Sequence, residues 1–243
     1  MTEESPHPHA FPPTQWTMVI SAQNDDSGER SRALEQICRT YWHPIYAYAR
    51  KRSYSPQDAE DITQGFFAHL LQTGGFGNVH ERKGKLRTFL LVSVRNFMTN
   101  EWAKRKAQKR GGGAQLLSID LNDAEDHMCL EPTDDLTPEA VFERHWATTM
   151  LQTVMGRLQA VFENEGKETQ FDALKEFLAL GRGERTYAQV AEDLGLSESG
   201  VKVAVHRMRK RYRELLLEEI SGTLEPGESA EAELRYLFGV FQS

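Results

Sequence analysis

The segment TYAQVAEDLGLSESGVKVAVHRMRKRYR, residues 186–213, decides the fold. Thr186 and Gln189 have the spacing of a capping box, a hydroxyl ahead of the first turn and an amide side chain three residues on. Tyr187, Val190, Ala191 and Leu194 then keep one helical face apolar. Gly195 follows where a tight turn favours a residue tolerant of positive φ. Ser197 is placed to cap a second helix, in which Val201, Val205, Met208 and Tyr212 recur toward a core. The opposite face shows Ser199, Val203, His206, Lys210 and Arg213, flanked by Lys202 and Arg207. A small Ala191, the turn Gly195 and an apolar residue early in the second helix let the two helices cross closely. That is helix-turn-helix geometry, and it lays the second helix in a DNA major groove.

Outward from this motif the pattern stays helical. Upstream, Thr137-Pro138 opens an amphipathic stretch through Trp146, Leu151, Val154, Leu158 and Phe162. Phe171, Leu174, Phe177 and Leu178 predict a further helix that stops at Gly181. Downstream, residues 221–243 form an acidic stretch with an apolar end, Leu234, Tyr236, Leu237, Phe238, Val240 and Phe241. That end predicts a short helix packed on one of the domains, or a regulatory contact.

The first half is separated by a spacer. Gly111-Gly112-Gly113 begins a stretch of little periodicity that holds Asn122, Pro132, Asp134 and Asp135 and runs to Pro138. Before it, Leu34, Ile37 and Tyr41 recur at helical spacing, Pro44 predicts an interruption or kink, and Ile45, Tyr48 and Ala49 resume the stripe. Ser55-Pro56-Gln57-Asp58 is a helix start, with a capping Ser, Pro at the first helical position and an acid three residues after the cap. The helix that follows presents Ala59, Ile62, Phe66 and Leu70 on one face and Asp58, Asp61 and Gln64 on another. The Gly-rich turn Gly74 to Asn78 ends it. Leu86 to Lys109 is again helical in pattern, with Phe89, Leu90, Val94 and Phe97 apolar and Trp102 near a basic end. No stretch sustains period-2 alternation between hairpin turns. The expectation is an all-α chain of two small helical domains on an acidic flexible linker. Its domains are 29–112 and 138–220, with the linker at 113–137 and extensions at 1–28 and 221–243. Phe11 to Ile20 adds a short helix to the first extension.

Charge is organised along the same lines. The 243 residues carry a net charge of −7, with 39% hydrophobic and 27% charged residues. Residues 81–113 hold 10 basic and 2 acidic residues, whereas 114–145 hold 1 basic and 9 acidic. The helix-turn-helix segment is again net basic. An acidic chain with two basic islands is not a general polyanion binder; it has two separate places to meet phosphate. No apolar run approaches the ~18 residues of a membrane helix. The N-terminus lacks the basic and apolar blocks of a secretory signal. Two cysteines, Cys38 and Cys129, exclude a disulfide framework or zinc cluster, so a cytoplasmic protein without cofactor is expected. His7 and His9 have no suitably spaced carboxylate or thiol and belong to a tail rather than a metal site. An enzyme is not expected: Glu60 points away from Asp58 and Asp61, there is no Gly-rich phosphate loop, and no nucleophile–base pair is suggested.

The two islands and the motif together resemble the bacterial RNA polymerase sigma factors of the extracytoplasmic-function (ECF) type, within the sigma-70 family. The likeness runs from about Leu34 to Leu217. Its residues are Tyr41 and Tyr48, Asp58 to Gln64 with Phe66, Gly84 to Leu90 leading to Val94-Arg95-Asn96, and Thr186 to Leu194 followed by Ser197 to Arg209. The resemblance implies a polymerase-docking face of Asp58, Asp61 and Gln64, meeting the clamp helices of the largest subunit. It implies that Arg95, Asn96, Asn100, Trp102, Lys104, Arg105 and Lys106 open the minus-ten element. Ser199, Lys202, Val203, His206, Arg207 and Lys210 would read the minus-thirty-five element. Amides, an aromatic platform and cations are what holding unstacked single strand requires. The family commonly has Trp where this chain has Phe89, an acid at Asn100, and different residues at Ser199-Gly200 and Val203-Ala204. The docking surface therefore carries over, while the promoter sequence does not. Expected partners are core polymerase and promoter DNA, with no membrane; an anti-sigma factor is left open. The competing reading is a stand-alone helix-turn-helix regulator, which leaves the first island and the Asp58 face unexplained.

Overall fold

The computed structural model describes residues 27–72, 85–107, 135–178, 185–224 and 227–241. Among them are helices and turns and no strand, so the chain is all-α, as expected. The helices are α1 (Ser27–Lys51), α2 (Pro56–Gln72), α3 (Leu86–Ala107), α4 (Pro138–Asn164) and α5 (Glu168–Leu174), the last continued by a 3₁₀ turn at Lys175–Leu178. There follow α6 (Tyr187–Leu194), α7 (Glu198–Ser221) and α8 (Ala230–Gly239). Several expectations lie outside the described residues: the tail histidines, the Phe11–Ile20 helix, the turn at Gly74 to Asn78, the spacer from Gly111 to 134, and the stop at Gly181.

The chain divides into two compact units, Met1–His145 with Ser221–Ser229, and Trp146–Ile220 with Ala230–Ser243. The division falls inside α4, not at the 137/138 boundary expected from the linker composition. The first turns of α4 belong with the first unit because their side chains bond to it. Tyr48 donates its hydroxyl to Glu139 Oε1 at 3.4 Å. Glu143 Oε2 lies 2.9 Å from the Nε of Arg87, a side chain only 5% exposed.

In the first unit α1 continues through Pro44, where the sequence predicts an interruption or kink, and the helix is not interrupted. Proline in a helix interior costs about 3 kcal/mol. Here Tyr41, Ile45, Tyr48 and Ala49 are fully buried around it, and that burial outweighs the lost hydrogen bond. α2 begins as its sequence dictates: Ser55 Oγ accepts from the Asp58 amide at 3.1 Å and donates to Asp58 Oδ2 at 2.7 Å. Its Ala59, Ile62, Phe66 and Leu70 are buried, as are Leu86, Leu90, Val94 and Met98 of α3. Phe97 of α3 is half-buried and meets Phe66 edge to face, with ring centroids 5.8 Å apart.

In the second unit Trp146, Met150, Val154 and Leu158 of α4 are buried, with Phe171, Leu174 and Phe177 beyond them. The helix expected over 171–178 is a short α5 tightened into the 3₁₀ turn. Tyr212 of α7 donates its hydroxyl to the Leu151 carbonyl at 3.2 Å, and burial pushes its pKa up to about 12. The apolar C-terminal stretch is the helix α8, with Leu234 and Leu237 buried within this unit.

Candidate nucleic-acid interface

The helix-turn-helix is built by local chemistry. Thr186 Oγ1 accepts from the Gln189 amide at 3.3 Å, and the Gln189 side chain accepts from the Thr186 amide at 2.8 Å. α6 ends at Gly195, whose φ of 62° is left-handed. Ser197 Oγ then accepts from the Gly200 amide at 3.1 Å, starting α7. Val190 and Ala191 are buried on one side of the turn and Val201, Val205 and Met208 on the other. Replacing Thr186 with Ala should cost about 1 kcal/mol, read as a lower denaturation midpoint with an unchanged denaturant slope.

Burying those residues leaves Ser199, Lys202, Val203, His206, Arg207 and Lys210 exposed together along α7. Val203 is 50% exposed, a large apolar side chain amid polar ones. Lys202 is held by Glu198 one turn earlier at 2.7 Å, and that hydrogen bond raises its pKa. Its ammonium also lies 5.8 Å from the centre of the Tyr187 ring. Lys210 is 4.0 Å from Glu214, while His206 and Arg207 make no hydrogen bond or ion pair among the described residues. The face thus offers a cation in fixed pose, a methyl-bearing side chain and two uncommitted donors. These are the groups that meet phosphates and base edges.

Arg213, expected on the outward face, is exposed and also borders a cleft of the second unit. Another cation of α7 is committed elsewhere. Arg209 donates from Nε and Nη2 to the Phe177 carbonyl at 3.1 and 2.7 Å, anchoring α7 to the 3₁₀ turn. Sequence spacing gave no signal of this bond, because the acceptor is a backbone carbonyl 32 residues away.

In the first unit Asp61 is exposed, and Asp58 and Gln64 are half-buried. Gln64 donates to Glu60 Oε1 at 3.0 Å, so Glu60 lies beside one member of the face expected from Asp58, Asp61 and Gln64. The i,i+4 spacing of Glu60 and Gln64 is the signal that could have found it. On α3, Arg95, Asn96 and Asn100 are exposed along one side, opposite the buried Val94 and Met98. Thr99 sits among them and returns its hydroxyl to the Arg95 carbonyl at 2.9 Å. Trp102, Lys104, Arg105 and Lys106 continue the helical backbone of α3, and their side chains lie outside the described residues. Among the described residues no three His, Cys, Asp or Glu side chains are grouped to hold a metal ion. Likewise no helix there is long and apolar enough to cross a membrane.

Residues 37–108, the span from mid-α1 to the end of α3, match the family model described as Sigma-70 region 2. The match covers under a third of the chain and supports a sigma-70 family sigma factor. Such a region implies a role in RNA polymerase binding, promoter recognition and promoter melting. No curated protein and no solved structure matches the chain.

Proposed function

We propose that this sigma-70 region 2 chain works as an ECF-type sigma factor. Its first unit docks on the clamp helices of the largest polymerase subunit and opens the minus-ten element, and its second unit reads the minus-thirty-five element. The observation that carries the reading is the region 2 match over the same helices that expose a carboxylate face and an amide–cation face. The separate helix-turn-helix with a basic outward helix supports the second half of it. Asp58, Asp61 and Gln64, with Glu60, are the docking side chains. Arg95, Asn96, Asn100, Trp102, Lys104, Arg105 and Lys106 meet the minus-ten strand, and Ser199, Lys202, Val203, His206, Arg207 and Lys210 meet the upstream element. No catalytic group is assigned, since sigma factors act by binding rather than by chemistry.

The test is reconstitution with core RNA polymerase, followed by permanganate footprinting of promoter DNA. Co-purification with core enzyme and reactive thymines at the minus-ten element are expected. Tight, sequence-specific duplex binding by the chain alone, without polymerase binding, would support the stand-alone regulator instead.

The residues of α7 should not behave alike. Arg207 can make a bidentate contact to a guanine edge, worth about 1–3 kcal/mol against the wrong base. Lys210 lies further along α7 and meets phosphate as a point charge. Arg207→Ala should therefore relax preference at one promoter position in a randomised upstream-element selection. Lys210→Ala should weaken all upstream elements uniformly and reduce the salt slope by about 0.9. An unchanged motif with Arg207→Ala makes Arg207 a phosphate contact.

A further inference from the structure

Within the second unit, α4, the 3₁₀ turn, α7 and α8 line an open cleft of about 600 Å³. Leu151, Met155, Phe177, Leu216, Leu234 and Phe238 give it an apolar wall. It falls in the ~300–1,000 Å³ range of small-molecule pockets. The polar lining has one sign of charge: Lys175, Arg209 and Arg213 border the cleft and no carboxylate does. Arg209 is fixed there by its two hydrogen bonds to the Phe177 carbonyl. Lys175 is shared with Asp172 at 2.8 Å. Arg213 makes no hydrogen bond or ion pair among the described residues, and it is exposed. The Tyr212 hydroxyl is already committed to the Leu151 carbonyl. Apolar walls with a cationic border select a molecule that is mostly hydrocarbon and carries one negative end. A nucleic-acid backbone would leave the apolar wall uncovered.

We propose that this cleft is a binding site for a small apolar carboxylate. Its hydrocarbon fills the space between α4, α7 and α8, and Arg213, with Arg209 and Lys175, holds the carboxylate. α7 carries both the Tyr212–Leu216 wall of the cleft and the outward DNA face, so the bound acid contacts the same helix that reads the promoter. The proposal goes beyond the initiation-factor reading, and its test uses neither polymerase nor DNA, so the two can fail separately.

The experiment is calorimetric titration of the full chain with octanoate and, as the neutral counterpart, 1-octanol. Octanoate should bind saturably with one site per chain, and 1-octanol at least about tenfold more weakly, the worth of a charge-assisted contact. Arg213→Glu should lower octanoate affinity by at least about tenfold and leave 1-octanol unchanged. Met155→Trp, which narrows the cleft, should weaken both by at least about tenfold. Should that variant fail to fold by circular dichroism, the surface change Arg213→Glu and the acid–alcohol comparison still decide. Absence of saturable octanoate binding, equal affinity for acid and alcohol, or an Arg213→Glu chain that binds octanoate normally would overturn the proposal. So would self-association of the wild-type chain abolished by Met155→Trp, which would give the cleft to a second copy.

Discussion

Asp61→Lys should weaken competition for core RNA polymerase by about 3 kcal/mol, more than a hundredfold in Kd. A like charge set against a basic partner helix costs several kcal/mol. Asp61 is the cleaner position on the proposed docking face because it is exposed. Asp58 accepts the Ser55 hydroxyl at the start of α2, so Asp58→Lys would also lose that contact and set a cation at a helix N-terminus. The measurement is displacement of labelled wild-type chain from core enzyme, with a thermal melt to show that the variant is folded. A folded Asp61→Lys chain that competes equally would remove the docking assignment. It would leave the region 2 match untouched.

Arg87→Met should destabilise the first unit by about 3 kcal/mol. Arg87 is 5% and Glu143 17% exposed at the side chain, and their pairing at 2.9 Å ties α3 to the first turns of α4. Removing one partner of a buried pair strands the other charge, whereas replacing both with apolar groups of similar volume is often neutral. The double change Arg87→Met with Glu143→Met should therefore recover most of the loss. Denaturant melts of the single and double variants give the coupling directly. Additive losses would mean that the two residues do not act as a pair. The tie also bears on the charge reading. Arg87 is one of the basic residues of the first island, but its burial removes it from the surface that could meet phosphate.

Most of the helix starts were legible because they depend on residues three or four apart. Ser55 with Asp58, Thr137 with the Ala140 amide, Thr186 with Gln189, and Ser197 with the Gly200 amide all close hydrogen bonds within a turn. The outward face of α7 was legible for a related reason: once Val201, Val205 and Met208 are assigned to the core, helical geometry fixes what faces away. Arg209 escaped that reasoning: its guanidinium turns to the Phe177 carbonyl, a partner that the period of α7 does not reveal.

The sequence by itself determined an all-α chain, the helix-turn-helix with its left-handed Gly195, and the exposed outward side of α7. Those features rest on capping and periodicity, which act within one or two turns. Only the tertiary structure decided that α1 continues through Pro44 and that the first turns of α4 join the first unit. The same holds for the burial of Arg87 against Glu143, 56 residues away, and for Arg209 on the Phe177 carbonyl. Each of these is set by partners remote in sequence. Burial and long-range pairing there outweigh a local preference, and no pattern of neighbouring residues encodes such a choice.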